Sequence, residues 1–198
     1  MGSEVFIPAR CTISSGIEPQ AIIAFWRQAG PQRWFAADPE FDRAIRERFE
    51  KLHMLASQGL LAEWEADAKG TLALLLLTDQ FPRNLYRGSA HAFATDKLAR
   101  AIAQRGIEKG FDRAFDVSLR TFFYLPFMHH EDMASQLRCV VLYQRLVAEG
   151  GAVEGLDYAK LHADLIDRFG RFPHRNKVMG RVSTPEETAY LASGGFAG

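Results

Sequence analysis

Cysteine is scarce in this 198-residue chain: Cys11 and Cys139 stand far apart, with no CxxC pair. That argues against a disulfide framework and a zinc–cysteine site, and points to reduced thiols in a reducing, cytoplasmic setting. An excess of one charge is also lacking, since 24 Lys and Arg face 24 Asp and Glu. A protein that neutralises phosphates along a duplex carries a basic surplus, so no nucleic-acid partner is expected. The most apolar run, Leu72 to Leu77, stops at Thr78-Asp79-Gln80. That is far short of the ~20 residues of a membrane span. The N-terminus shows no basic region followed by an apolar stretch, so no signal peptide is expected. GxSxG, Walker, GxGxxG and HExxH patterns are all missing. Covalent catalysis has no support, and neither a cofactor nor a metal is expected.

What is present is an ordinary globular composition, 47% hydrophobic and 24% charged. A chain of this size buries ~70% of its unfolded surface and folds without disulfides. No series of alternating strands is visible, whereas helix signals recur. Residues 1–17 read as an irregular arm, 18–192 as one helical domain, and 193–198 as a flexible tail. The first helix opens at Glu18-Pro19 and ends near Gly30-Pro31. Asp38-Pro39 caps a second that runs through Ala56. Phe41, Ile45, Phe49 and Leu52 mark its buried face, and Asp42, Arg46 and Glu50 a merely solvated one. A short amphipathic helix over Leu60–Asp67, an apolar one over Lys69–Phe81 and one from Thr95-Asp96 through Gln104 follow. Then come Asp116–Leu125, Phe127–Glu149 after a break at Pro126, Asp157–Phe169, and a short piece from Pro173. A Thr184/Glu187 capping box opens the last helix. The expected fold is all-α, an antiparallel array of about eight or nine helices.

Three proline-interrupted segments carry the residues with chemical potential. In Asp79-Gln80-Phe81-Pro82-Arg83-Asn84, proline should end the apolar helix before Pro82. Asp79 would then be a partly buried carboxylate at a helix C-terminus, where the dipole disfavours it and a cation is needed. Arg83 is the nearest. Either Asp79 is an acid/base and Arg83 an anion clamp, or the two are a structural pair with Asn84 capping the next segment. In Pro126-Phe127-Met128-His129-His130-Glu131-Asp132, His129 and Glu131 suit proton transfer at neutral pH. Adjacent histidines point apart, which argues against a shared metal. Carboxylates there also suit a helix dipole without any ligand.

The third segment, Arg168 to Lys177, is the most basic. Gly170 resembles a helix C′ residue, and Pro173 can reopen a helix with His174, Arg175 and Asn176 around its N-terminus, a setting for phosphate or carboxylate. Arg168 and Arg171 can instead satisfy the outgoing carbonyls of the preceding helix. His162 lies on an apolar stripe, as a core residue or a pocket liner. Trp34 either walls a pocket or packs with its N–H satisfied. The strings Phe81-Pro82-Arg83-Asn84 and Phe172-Pro173-His174-Arg175-Asn176 echo one another, but at different offsets from the preceding Asp79 and Asp167.

Together, Arg33-Trp34-Phe35, Asp79-Gln80-Phe81-Pro82-Arg83-Asn84-Leu85-Tyr86-Arg87-Gly88, Tyr124-Leu125-Pro126-Phe127-Met128-His129 and the string from Arg168 to Asn176 resemble the bacterial domain of unknown function 924 family. The resemblance runs from about Glu18 to the last helix. It implies a tetratricopeptide-like helical fold in bacterial soluble proteins, and no assigned reaction. The family usually has Ser then Glu after the matching His. Here His129-His130-Glu131 departs from that pattern, which favours His129 and Glu131 over His130.

Two functional expectations follow. In one, Asp79, Arg83, Asn84, His129, Glu131, His162, Arg171, His174, Arg175, Asn176 and Trp34 contribute to a polar pocket for a small anion. Metal-independent acid/base work there would fall to His129 or His174 with Glu131 or Asp79. In the other, the helical array grips a protein or peptide partner, by fold analogy alone.

Overall fold

The computed structural model describes Gly16 and residues 18–197, and the expected N-terminal arm falls almost wholly outside them. Among the described residues there are helices and no strands. They are α1 (Pro19–Ala29), α2 (Pro31–Trp34), α3 (Pro39–Ser57), α4 (Ala68–Leu75), α5 (Phe81–Leu85), α6 (Asp96–Glu108), α7 (Val117–Met128), α8 (Met133–Ala148), α9 (Val153–Phe169) and α10 (Pro185–Ala192). A π turn, Leu76–Gln80, joins α4 to α5 into one rod. No helix is long and apolar enough to cross a membrane among these residues.

The rod is the axis of the core. Every residue from Leu72 to Leu77 is buried, and each such leucine contributes about 1.5–3 kcal/mol relative to an exposed one. α1, α3, α6 and α7 pack around it. On one side Trp26, Phe41, Phe49, Phe81 and Phe122 form a continuous aromatic cluster. A smaller apolar cluster of Leu165, Ile166 and Phe172 lies under Met133, Phe169, Tyr190 and Phe196.

Local signals account for most helix ends. Asp38 accepts from the N–H groups of Glu40 and Phe41, with Pro39 opening α3. Its apolar face is buried as its spacing predicts. The opposite face is not simply solvated: Asp42 accepts from Asn84 at 2.7 Å and from Arg87 at 2.6 Å, which fastens α3 to the end of α5. Residues 62–66 form a 3-10 helix where a short amphipathic helix was expected. Gly170 takes a left-handed conformation, φ 67°, and closes α9, as a C′ glycine does. The Thr184/Glu187 box is present in full.

The prolines behave differently from expectation. The rod does not end before Pro82, because the π turn widens its ladder there: the Phe81 N–H reaches back five residues to Leu76. Pro82 brings no N–H to the carbonyl of Thr78 four residues back. The buried hydroxyl of Thr95 donates to that oxygen instead, so Thr95 leaves its expected capping role in α6. Pro126 likewise sits inside α7, which continues to Met128. The real break is at residues 129–132. There the wholly buried Gln136 donates to the carbonyls of Met128 (2.9 Å) and His130 (2.6 Å).

Candidate functional site

Asp79 lies within the π turn, not at a helix C-terminus, and its side chain is only 1% exposed. Such turns often lie at functional sites because they rotate one side chain out of the regular ladder. Nδ1 of His129 lies 2.8 Å from one oxygen of Asp79, and Gln80 donates to the other. Arg83, one turn on, donates to the Asp79 carbonyl and stands 3.4 Å from its carboxylate. Burial pushes the Asp79 carboxyl up, but His129, Arg83 and Gln80 outweigh it and hold the group at about 2. An ionised carboxylate only accepts hydrogen bonds, so Nδ1 of His129 is the donor and Nε2 carries the lone pair. Burial and the Arg83 charge pull the His129 pKa below its ordinary value despite Asp79, which keeps the ring neutral at pH 7.

Arg83 places its end-on fork on Asp96, Nη1 to Oδ1 at 3.0 Å and Nη2 to Oδ2 at 3.1 Å. Arg175 reaches the same carboxylate at 3.4 Å and donates to the backbone oxygen of His129 at 3.0 Å. Asp96 therefore links the first and third segments, and His129 the second to both.

Arg175 is 6% exposed, and its Nε has no partner among the described residues. A buried donor without an acceptor costs about 1–3 kcal/mol. Burial and the neighbouring Arg83 lower this guanidinium to about 10, against Asp96, Glu131 and Asp79, which favour its charge.

Beyond Arg175, Glu131 accepts from Arg181 (2.6 and 3.0 Å) and from the N–H of Phe172 (2.8 Å). Burial raises Glu131, but these donors and the Arg175 charge leave it below the usual carboxylate range. His162 and His174 flank Phe196, with ring centroids 4.9 and 5.3 Å from its own. Both imidazoles are held at about 4. Burial is the main cause in each, opposed at His162 by the Tyr158 carbonyl and reinforced at His174 by Arg175. The tail expected to be loose thus folds back at Phe196, whose N–H donates to the Tyr190 hydroxyl at 2.9 Å.

Residues 22–195 match the model of a family described as bacterial protein of unknown function, DUF924. The chain belongs to that family. A solved structure of a protein of unknown function, ATU0120 from Agrobacterium tumefaciens, is 47% identical to it. That similarity covers 88% of this chain and 97% of the other, with a TM-score of 0.84, so the two share the all-helical fold. No curated protein matches the chain.

In this DUF924 protein the nominated residues divide. Asp79, Arg83, His129, Glu131, His174, Arg175 and His162 gather where the three segments meet. Trp34 does not: its N–H donates to the Trp26 carbonyl at 2.6 Å, and it stacks in the aromatic core. Asn84 binds Asp42 of α3 and caps nothing. Arg171 and Asn176 both grip Glu187 and so anchor α10, which removes them from the anion-binding set. The segment from Pro173 forms a three-residue 3-10 turn, Pro173–Arg175, not a helix with free N–H groups. The N–H groups of Arg175 and Asn176 are taken by Phe172 and Pro173, so neither is free for an anion. His130 pairs with Asp132.

Asp96, Arg181, Gln80 and Phe196 belong to the cluster and were not singled out from sequence. Asp96 reads as a helix cap, and only its cationic partners in space, Arg83 and Arg175, show otherwise. Among the described residues no three His, Cys, Asp or Glu are grouped as metal ligands. A shallow pocket lined by Asp67, Ala68, Lys69, Ala114 and Phe115 contains none of the nominated residues.

Proposed function

We propose that the junction of the three proline-interrupted segments binds a small anionic molecule and presents His129 to it as a neutral general base. The carrying observation is the Asp79–His129 pair. A carboxylate held at about 2 receives Nδ1–H at 2.8 Å, which leaves the basic Nε2 without a donor among the described residues. A carboxylate that fixes tautomer and ring orientation in this way is the recurrent support for a histidine base. Arg175 supplies attraction for an anion, being a buried cation with an unfilled N–H. No step in this reading needs a metal.

The interaction-module reading gathers less support. Among the described residues, exposed large apolar side chains such as Met54 and Leu137 stand on different helices, α3 and α8.

Thermal unfolding of the full chain with acetate, glycolate and inorganic phosphate tests the proposal. A saturable rise in Tm with at least one of them, lost in Arg175→Ala, supports it. Indifference to all three removes it.

A further inference from the structure

Among the described residues Arg175 is a buried cation whose hydrogen-bonding capacity is only partly used. The guanidinium carbon of Arg175 packs against two aromatic rings, 4.4 Å from the centroid of Phe93 and 4.6 Å from that of Phe172. Its Nη1 is spent on Asp96 and the His129 carbonyl. What remains is the edge formed by Nε and Nη2, whose N–H bonds run parallel and match the two oxygens of a carboxylate or phosphate. Elsewhere in this protein the same edge is filled by a carboxylate: Arg105 gives Nε and Nη2 to Glu65, and Arg171 gives them to Glu187. On Arg175, Nε is buried without a partner, and no described residue accepts from Nη2.

Charge narrows the ligand further. Arg83, Arg175 and Arg181 face Asp79, Asp96 and Glu131, so the cluster is formally balanced with its histidines neutral. A dianion would bring twice the uncompensated charge of a carboxylate into a buried place. The lone pair on Nε2 of His129 would repel a bare anion, so the group placed there has to be a donor. With Arg83 and Arg175 close by, an ammonium is disfavoured against a hydroxyl.

Resting on the anion-site reading, we infer that the ligand is a small hydroxycarboxylate. Its carboxylate seats on the Nε–Nη2 edge of Arg175, and its hydroxyl donates to Nε2 of His129. Specificity then divides between two residues: Arg175 selects the carboxylate, and His129 selects the hydroxyl.

The test is a titration of the full chain with acetate, glycolate, 3-hydroxypropionate, glycine and inorganic phosphate, followed through the Arg175 Nε–H resonance. At least one hydroxy acid should bind about tenfold more tightly than acetate, the upper end of what one neutral hydrogen bond adds. Glycine and phosphate should bind more weakly than that hydroxy acid. Arg175→Lys keeps the charge but loses the fork, and should weaken every carboxylate by about tenfold or more. His129→Phe should erase the hydroxyl preference, so that neither hydroxy acid binds more tightly than acetate. The wild-type resonance decides the matter even if a variant fails to fold. Anion binding that leaves Arg175 Nε–H unmoved, or phosphate binding tighter than both hydroxy acids, overturns the inference while keeping an anion site. No response to any of the five overturns the reading beneath it as well.

Discussion

Replacing Asp79 with asparagine keeps the shape of the side chain and removes the charge around which the three segments are arranged. The carboxyl stands at about 2 in the folded protein against an ordinary 3.8. Each unit of pKa difference is about 1.36 kcal/mol, so ionised Asp79 contributes roughly 2.5 kcal/mol at neutral pH. At 1% exposure little of this is screened by solvent. Arg83 keeps Asp96 as a partner in the variant, so the loss should fall at about 2–4 kcal/mol rather than at the top of the range for breaking a buried pair.

The pH dependence has a definite sign. A carboxylate with a depressed folded pKa stabilises fully above its unfolded value, and that contribution disappears as pH falls through the folded one. The gap between wild type and Asp79→Asn should therefore be widest near pH 7 and shrink to roughly half by pH 3. Urea unfolding followed by far-ultraviolet circular dichroism at both pH values measures it. A cost below about 0.5 kcal/mol at pH 7, within the range of ordinary surface substitutions, or a gap that grows on acidification, would refute the reasoning.

Two further outcomes follow from other residues. His162 and His174, held at about 4, are neutral when folded but protonate near the ordinary imidazole value of 6.5 when unfolded. Stability should be level above that value and fall by several kcal/mol, on the order of 3 per fully buried ring and less for the half-buried His174, between about pH 6.5 and 4. A flat urea midpoint from pH 7 to 4.5 would contradict this, and His162→Phe should flatten the decline. Gly70→Ala would place a Cβ 2.0 Å from the Trp64 carbonyl oxygen. Because backbone must move, the expected loss is about 1–3 kcal/mol, read as a lowered Tm; an unchanged Tm would show that residues 62–66 yield freely.

The parts of this fold that were readable from sequence are those governed by neighbours in the chain. Asp38 and Thr184 cap the helices that follow them, Gly170 ends α9, and the spacing of Phe41, Ile45, Phe49 and Leu52 identifies a buried face. The prolines misled because their consequences are settled at long range. Pro82 ends no helix once Thr95, distant in sequence, supplies a donor to Thr78. Pro126 stays within α7, and Gln136 takes up the carbonyls at the break that comes later.

The same distinction divides the site. Asp79, Arg83, His129 and Arg175 are conspicuous beside proline breaks, so their types could be nominated. Their pairings could not: Asp96 stands 79 residues before Arg175, and Arg175 shares it with Arg83. Arg171 and Asn176 were equally conspicuous, yet Glu187 claims both. Nothing local distinguishes an arginine held by a distant helix from one whose edge stays open.

The tautomer and charge of His129 are the most direct measure of the account. Nitrogen-15 NMR at pH 7 should show a neutral ring protonated on Nδ1, with Nε2 in the range of a lone-pair nitrogen. An imidazolium at neutral pH, or a ring protonated on Nε2, would contradict the pairing with Asp79 on which the proposed base depends.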